Sequence, residues 1–225
     1  LRAALNRWRS VTQSQSRRPA NVLRYSGSHD LVVAWMATHF NDFVPGYLLN
    51  LNFTGSLSGL SSLQKNESDI VGAHLWEEQT GTFNLPIVQQ MFPREKVALI
   101  TLVHRRLGFI TKPGNPKQIF SIEDLARQGI RMINRQPGSG TRMFLDAELH
   151  KKKIHPTSIE GYSAEKSTHS EIAAEVAQSH ADTGIGLEAS AKAFGLDFVM
   201  LTTERFDLIL RESTYQLPPI ERIID

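Results

Sequence analysis

A strand, a Gly-Ser turn and a helix follow one another twice in this chain, and that repetition restricts the fold more than any other feature. Val22-Leu23-Arg24-Tyr25 reads as a strand, Gly27-Ser28 as the turn, and Asp30 to Phe40 as a helix with Leu31, Trp35, Met36 and Phe40 on its buried side. About 110 residues later the order recurs: Ile130 to Ile133, then Gly138-Ser139-Gly140-Thr141, then Arg142 to His150 with Met143, Phe144 and Leu149 as apolar positions. Roughly 40 residues beyond each turn comes an Asp and a short Gly-bearing strand, Ser68-Asp69-Ile70-Val71-Gly72 and Ala181-Asp182-Thr183-Gly184-Ile185-Gly186. Strands alternating with helices imply parallel sheets covered on both faces, and two such halves imply two α/β lobes with a cleft between them. Ligands of open α/β sheets sit at the carboxyl ends of strands, where the Gly-Ser turns fall.

Val97 to Val103 and Leu107 to Thr111 are apolar runs, followed by the turn Lys112-Pro113-Gly114-Asn115-Pro116. The crossing between lobes is therefore expected near Val103 to Arg106. That assigns 21–104 and 201–225 to lobe 1 and 105–200 to lobe 2, with Phe198 to Leu201 and Leu208 to Leu210 as the returning strands. Ser121-Ile122-Glu123-Asp124 opens a helix with acidic residues at its positive end, and Thr168-His169-Ser170-Glu171 has capping-box spacing. Residues 1–20, rich in Arg, Ser and Gln, read as a basic helix over Ala3 to Val11 and a polar linker, either packed on the domain or tethering an upstream one.

With 225 residues, 40% of them hydrophobic, the chain has material for a substantial core, and no run of about 20 apolar residues is present to span a membrane. Lys plus Arg number 25 against 23 Asp plus Glu, so a net charge of +2 does not call for a polyanion, and no direct nucleic-acid binding is expected. The absence of Cys excludes disulfides, thiolate metal sites and cysteine nucleophiles, and leaves the compartment open. The eight His show no metal-ligand spacing. Gly55-Ser56-Leu57-Ser58-Gly59 has Leu where a nucleophile elbow needs Ser. Gly184-Ile185-Gly186-Leu187-Glu188-Ala189 matches a dinucleotide pattern but follows the polar Gln178 to Asp182 instead of a buried strand, and no P-loop segment exists. No catalytic residue, metal or cofactor is expected, and the chain reads as a binding domain and not an enzyme.

Asn134 to Arg142 places hydroxyls, glycines and two guanidinium groups at a strand-to-helix turn. First-turn N–H groups lack helical acceptors and carry the positive end of the dipole, so an oxyanion could accept from them, from Ser139 and Thr141, and from an Arg. The same segment alone could equally be an ordinary N-cap. Gly27-Ser28-His29, Thr54-Gly55-Ser56 and Ser167-Thr168-His169 supply three further helix starts, and as a set the four suit one shared ligand better than four separate caps.

These segments, together with Gly72-Ala73-His74-Leu75, Thr80-Gly81-Thr82-Phe83-Asn84, Gly161-Tyr162 and Ala193-Phe194-Gly195-Leu196-Asp197-Phe198, resemble the periplasmic-binding-protein-like domain related to molybdate- and tungstate-binding proteins, over about Asn21 to Arg211. The resemblance implies a type II fold of two α/β lobes closing on a small ligand. It assigns Ser28 and Ser56 to the first lobe's half of the site and Arg135, Ser139, Gly140, Thr141 and Thr168 to the second, with His74 and His169 beside them. It also implies a small anionic ligand, molybdate, tungstate or a molybdenum-cofactor-like species. Such domains follow a helix-turn-helix DNA-binding domain in regulators, or a molybdopterin-biosynthesis domain. The expected role is the sensor of a transcriptional regulator, which would be cytoplasmic; the alternatives are a periplasmic receptor of an oxyanion transporter or an accessory domain in cofactor assembly. Trp76 and Val103-His104-Arg105-Arg106 depart from the family's pattern close to the expected cleft.

Overall fold

The computed structural model describes residues 21–77 and 80–224, so the expected helix and linker over 1–20 lie outside the described residues. In chain order the strands are β1 (Val22–Gly27), β2 (Leu48–Phe53), β3 (Ile70–Ala73), β4 (Trp76–Glu77), β5 (Thr82–Phe83), β6 (Val97–Thr111), β7 (Met132–Arg135), β8 (Glu165–Lys166), β9 (Thr183–Leu187) and β10 (Asp197–Arg211). The helices are α1 (Leu31–Thr38), α2 (Phe40–Phe43), α3 (Ser56–Gln64), α4 (Leu85–Met91), α5 (Gly140–Lys151), α6 (His169–Ala177), α7 (Glu188–Ala193), α8 (Glu212–Tyr215) and α9 (Pro218–Ile224).

Eight strands form one sheet in the order β2-β1-β3-β10-β6-β9-β7-β8. β2-β1-β3 pair in parallel at one end and β9-β7-β8 at the other. β6 and β10 lie between them and run antiparallel to their neighbours. The two apolar runs expected to flank a crossing are thus one 15-residue strand, β6, and the two expected returning strands are likewise one, β10. The polar stretch at their centres does not break them, because period-2 alternation continues there: His104 and Arg106 are exposed while Arg105 and Leu107 are buried.

Each parallel end buries both of its faces, as near-continuous apolar strands require. At one end Tyr25, Val33, Phe40 and Phe206 share a cluster on one face, and Leu60, Leu63, Val71 and Ile209 share one on the other. At the other end Phe109, Met132, Leu145 and Ile185 cluster on one face and Ile110, Ile133, Ile172 and Val176 on the opposite one. Successive residues such as Phe109 and Ile110 thus face different layers.

Several local readings are corrected. The first helix ends at Thr38, whose hydroxyl bonds the Trp35 carbonyl at 2.7 Å, and a separate turn carries Phe40. Val33 is its buried core residue and Phe40 that of the turn, while Trp35 is 52% exposed, stacks on His39 and meets Phe43 at a tilt. In α5 the buried positions are Thr141, Leu145 and Leu149, one every fourth residue, and Met143 faces out. The segment opened by Ser121 is a single 3-10 turn with the capping box Ser121/Asp124. β7 begins at Met132, not Ile130, which places Arg135 at its carboxyl end.

Candidate functional site

The β1-to-α1 connection is forced close to β3. Gly27 has φ +138°, and a side-chain carbon there would lie 2.3 Å from the Gly72 carbonyl oxygen, so only Gly fits. Ser28, fully buried just beyond, takes the Gly72 carbonyl with its own N–H at 2.9 Å. Its hydroxyl lies 2.8 Å from that of Ser56, which also receives the His74 backbone N–H at 3.3 Å. The cap of α1 is Asp30 and not Ser28: Asp30 Oδ1 accepts from the N–H groups of Val32 and Val33 at 2.7 and 3.3 Å.

From the other half, Ser139 caps α5, accepting from the Arg142 N–H at 3.2 Å and donating to the Gln136 carbonyl at 2.9 Å. Thr168 caps α6 in a capping box, with its hydroxyl exchanged against Glu171. Both hydroxyls are therefore engaged within their own turns. The Thr141 hydroxyl, in the first turn of α5, is buried and has no partner among the described residues, and neither ring nitrogen of His169 has one.

The two halves meet here. A side-chain carbon on Gly140 would stand 2.5 Å from His74 Nδ1 and 2.7 Å from the His74 carbonyl oxygen, and one on Gly55 would stand 3.1 Å from the Gly138 carbonyl oxygen. The rings of His29 and His169 lie 6.1 Å apart. Ser28, Ser56, His74, Arg135, Ser139, Gly140, Thr141 and His169 are all buried, and Thr168 stands partly exposed at the margin.

Two guanidinium groups are buried with them, and they differ. Arg105 on β6 is opposite Glu204 on β10 in the sheet register and pairs with it; it also reaches Asp30 Oδ2 at 2.8 Å and the His29 carbonyl at 3.3 Å, over the face of Phe206. Arg135, only 1% exposed, bonds the Ser167 carbonyl through Nη2 at 2.9 Å, while Nε and Nη1 have no partner among the described residues. The carboxylates are fully committed elsewhere: Glu204 holds Arg105 and, at 2.8 Å, His74 Nδ1, and Asp30 holds Arg105 and the α1 cap.

Burial lowers the His29 pKa to about 4, with the positive Arg135 adding to the effect, and it lowers His169 well below the usual range with help from Arg135 and Arg105. Burial also brings the Arg135 guanidinium down to about 10, helped by the like charge of Arg105. Glu204 is held down at about 2: burial opposes ionisation, but Arg105 and His74 outweigh it. Three neutral imidazoles and a guanidinium with two nitrogens unpaired among the described residues are thus buried side by side. Among the described residues no group of three His, Asp or Glu is placed to hold a metal ion.

Sequence reasoning put Val103-His104-Arg105-Arg106 near the expected cleft but assigned no site role to Asp30, Arg105 or Glu204. A charged stretch inside an apolar strand was the signal for Arg105; nothing local marks Glu204, whose role depends on the β6–β10 register.

Comparison with known proteins gives a consistent picture of the fold. The profile of the PBP superfamily domain matches residues 37–225. The uncharacterized protein YvgK of Bacillus subtilis is 36% identical over 165 residues, 73% of this chain and 54% of YvgK, so the chain spans about half the length of that relative. A putative phosphate ABC transporter substrate-binding protein with bound phosphate from Clostridium perfringens superposes with TM-score 0.63 at 16% identity, over 91% of this chain and 92% of its own. A tungstate ABC transporter structure from Geobacter sulfurreducens gives 0.63 at 12% identity, over 92% and 94%. The regulatory domain of a LysR-family regulator from Neisseria meningitidis gives 0.58 at 14% identity, over 90% and 91%.

Proposed function

This chain belongs to the PBP superfamily, and we propose that it is a small-ligand-binding domain whose two halves close around an oxyanion. The observation that carries the reading is Arg135: a guanidinium buried to 1% exposure with two nitrogens lacking partners among the described residues. A buried donor left unpaired costs about 1–3 kcal/mol, and more when it is charged, so the arrangement is supported by a ligand that accepts from it. Formal charge does not decide the matter, since Arg105 and Arg135 balance Asp30 and Glu204. Available hydrogen bonds do: both carboxylates are used, while among the described residues Arg135 Nε and Nη1, Arg105 Nε, the Thr141 hydroxyl and the ring of His169 are buried without partners. Ser28, Ser56, Ser139 and Thr168 fix the turns that present this space, and Gly140 lets the halves approach.

Phosphate, tungstate and molybdate all fit the donor set. Isothermal calorimetry with phosphate, arsenate, sulfate, molybdate and tungstate tests the reading. One or more should bind with micromolar affinity, and Arg135→Ala should weaken binding by about 1.5–3 kcal/mol. Absence of heat with every anion removes the reading.

We favour a sensor over a transport receptor on one ground, that the basic residues 1–20 suit attachment to a DNA-binding segment; the LysR-family regulatory domain and the transport proteins share the fold alike and do not separate the two. Closure of the lobes would then bias the attached domain through its differential affinity for the ligand. The complete protein should shift its own promoter DNA in an anion-dependent manner; absence of any shift would favour the receptor. Attachment to a molybdopterin-assembly domain is the third reading, and association with cofactor-synthesis enzymes in pull-down would support it.

A further inference from the structure

His74 occupies an unusual position among the site's donors. Its Nδ1 lies 2.8 Å from Glu204 Oε2, and Nε2 is buried with no partner among the described residues. A carboxylate can only accept, so the proton between them belongs to His74 Nδ1. In a neutral ring the other nitrogen is then a bare acceptor. The histidine tautomer is therefore fixed from outside the site, by a residue on the strand shared by both lobes.

The groups that act on this ring come from every side. Glu204 on β10 favours its protonation; Arg105 on β6 and Arg135 on β7 disfavour it, His169 at the start of α6 is near enough for His74 to lower its pKa, and Phe206 stacks on the His74 ring at 5.9 Å between ring centres. Burial is the largest influence and lowers the His74 pKa, so the ring enters the site neutral.

We propose that His74 Nε2 is a selectivity acceptor, and that the site takes an oxyanion that keeps a hydrogen, of the hydrogen phosphate or hydrogen arsenate kind, in preference to a fully deprotonated dianion. This rests on the anion-binding reading above. Arg135 and the α5 amides take the charged oxygens, and the remaining O–H donates to Nε2. A dianion without hydrogen, such as sulfate, molybdate or tungstate, presents a lone pair to a lone pair, and is accepted only when Nε2 takes up a proton from water.

Calorimetry of the full chain in two buffers of different ionisation enthalpy, with anions free of protein-bound phosphate, distinguishes these cases. Hydrogen phosphate and hydrogen arsenate should bind with almost no proton uptake. Sulfate, molybdate or tungstate should take up about one proton per site and lose about tenfold in affinity for each unit rise in pH above neutrality. His74→Gln, whose amide can turn either its N–H or its oxygen to the ligand, should abolish that slope and narrow the gap between the two anion classes. Dianions that bind the unaltered protein without proton uptake, at equal or higher affinity than hydrogen phosphate, would overturn the role of His74 while leaving the anion site intact. Absence of binding by either class would end the anion-binding reading and this proposal together.

Discussion

Asp30 and Arg105, 75 residues apart, join a helix cap to the strand that runs through both lobes: Asp30 Oδ1 accepts the first amides of α1 while Oδ2 lies 2.8 Å from Arg105 Nη1. One carboxylate thus sets the start of α1, and with it the backbone of Ser28 and His29, against the centre of β6. Glu204 closes the same arrangement from β10. The site's walls are positioned by charges that the ligand never needs to touch.

The two tasks of Asp30 are separable. Asp30→Asn retains a cap acceptor but gives up a charged hydrogen bond, and should cost about 1.5–3 kcal/mol of stability. Asp30→Ala loses the cap as well and should cost about 1 kcal/mol more. Urea unfolding of both variants checks the order; equal losses would mean that the cap contributes nothing beyond the ion pair.

Arg135 should show the opposite trade. Its guanidinium is desolvated, and among the described residues its one direct hydrogen-bond partner is the Ser167 carbonyl. Arg135→Met replaces it with an apolar chain, so the anion-free protein should keep its stability or gain up to about 4 kcal/mol. Stabilisation by added anion should disappear in the same variant. Thermal melts with and without anion read both effects, and a large loss of anion-free stability would make Arg135 a structural residue.

Acid should weaken the fold in two stages. His29 titrates at about 4 in the folded chain against 6.5 for a free histidine, so the unfolded chain takes the proton first. Its contribution is complete above 6.5 and is lost as pH falls toward about 4, on the order of 3 kcal/mol by linkage. Glu204, held at about 2 against 4.5, extends the loss from 4.5 down to about 2. The urea midpoint in anion-free buffer should therefore begin to fall below 6.5, earlier than carboxylates alone allow. His29→Phe, beside Phe53, should reduce the upper stage, with His74 and His169 supplying what remains, and leave the lower one. An unchanged upper stage would assign it to His74 and His169 instead.

Repetition of the Gly-Ser turn made the α/β architecture legible in the sequence, because a turn that must approach a neighbouring strand is written in glycine, as at Gly27. Cap residues with local spacing were legible for the same reason: Ser139 and Thr168 cap their helices through partners three residues away. The first cap was misplaced onto Ser28 because Asp30 reads equally well as a polar surface residue until Arg105 is set against it. Helix faces were misjudged where apolar size stood in for position, as with Trp35 and Met143, both exposed. Arg105 and Glu204 could not be paired from sequence, since their contact depends on the register of two 15-residue strands with irregularities between Met200 and Thr202 and between Phe206 and Asp207. Long-range pairing carries no local composition signal.

Gly140 offers a test of closure that leaves the anion's own contacts in place. It opens α5, where Ala is at least as favourable as Gly, so Gly140→Ala should not weaken the helix. The added methyl group would meet His74 at 2.5 Å from Nδ1 and 2.7 Å from the backbone oxygen, and backbone cannot swing aside as a flexible side chain can. Approach of the two halves should therefore stop short, keeping Arg135 from completing its contacts across the cleft. Anion affinity should fall at least about tenfold while the unfolding free energy from urea titration without anion stays within about 0.5 kcal/mol of that of the unaltered protein. Small-angle scattering should show no compaction on adding anion to the variant. Unaltered affinity in Gly140→Ala would mean that the anion binds without the contact between α5 and the strand-end turn of His74, and closure would then have no part in recognition.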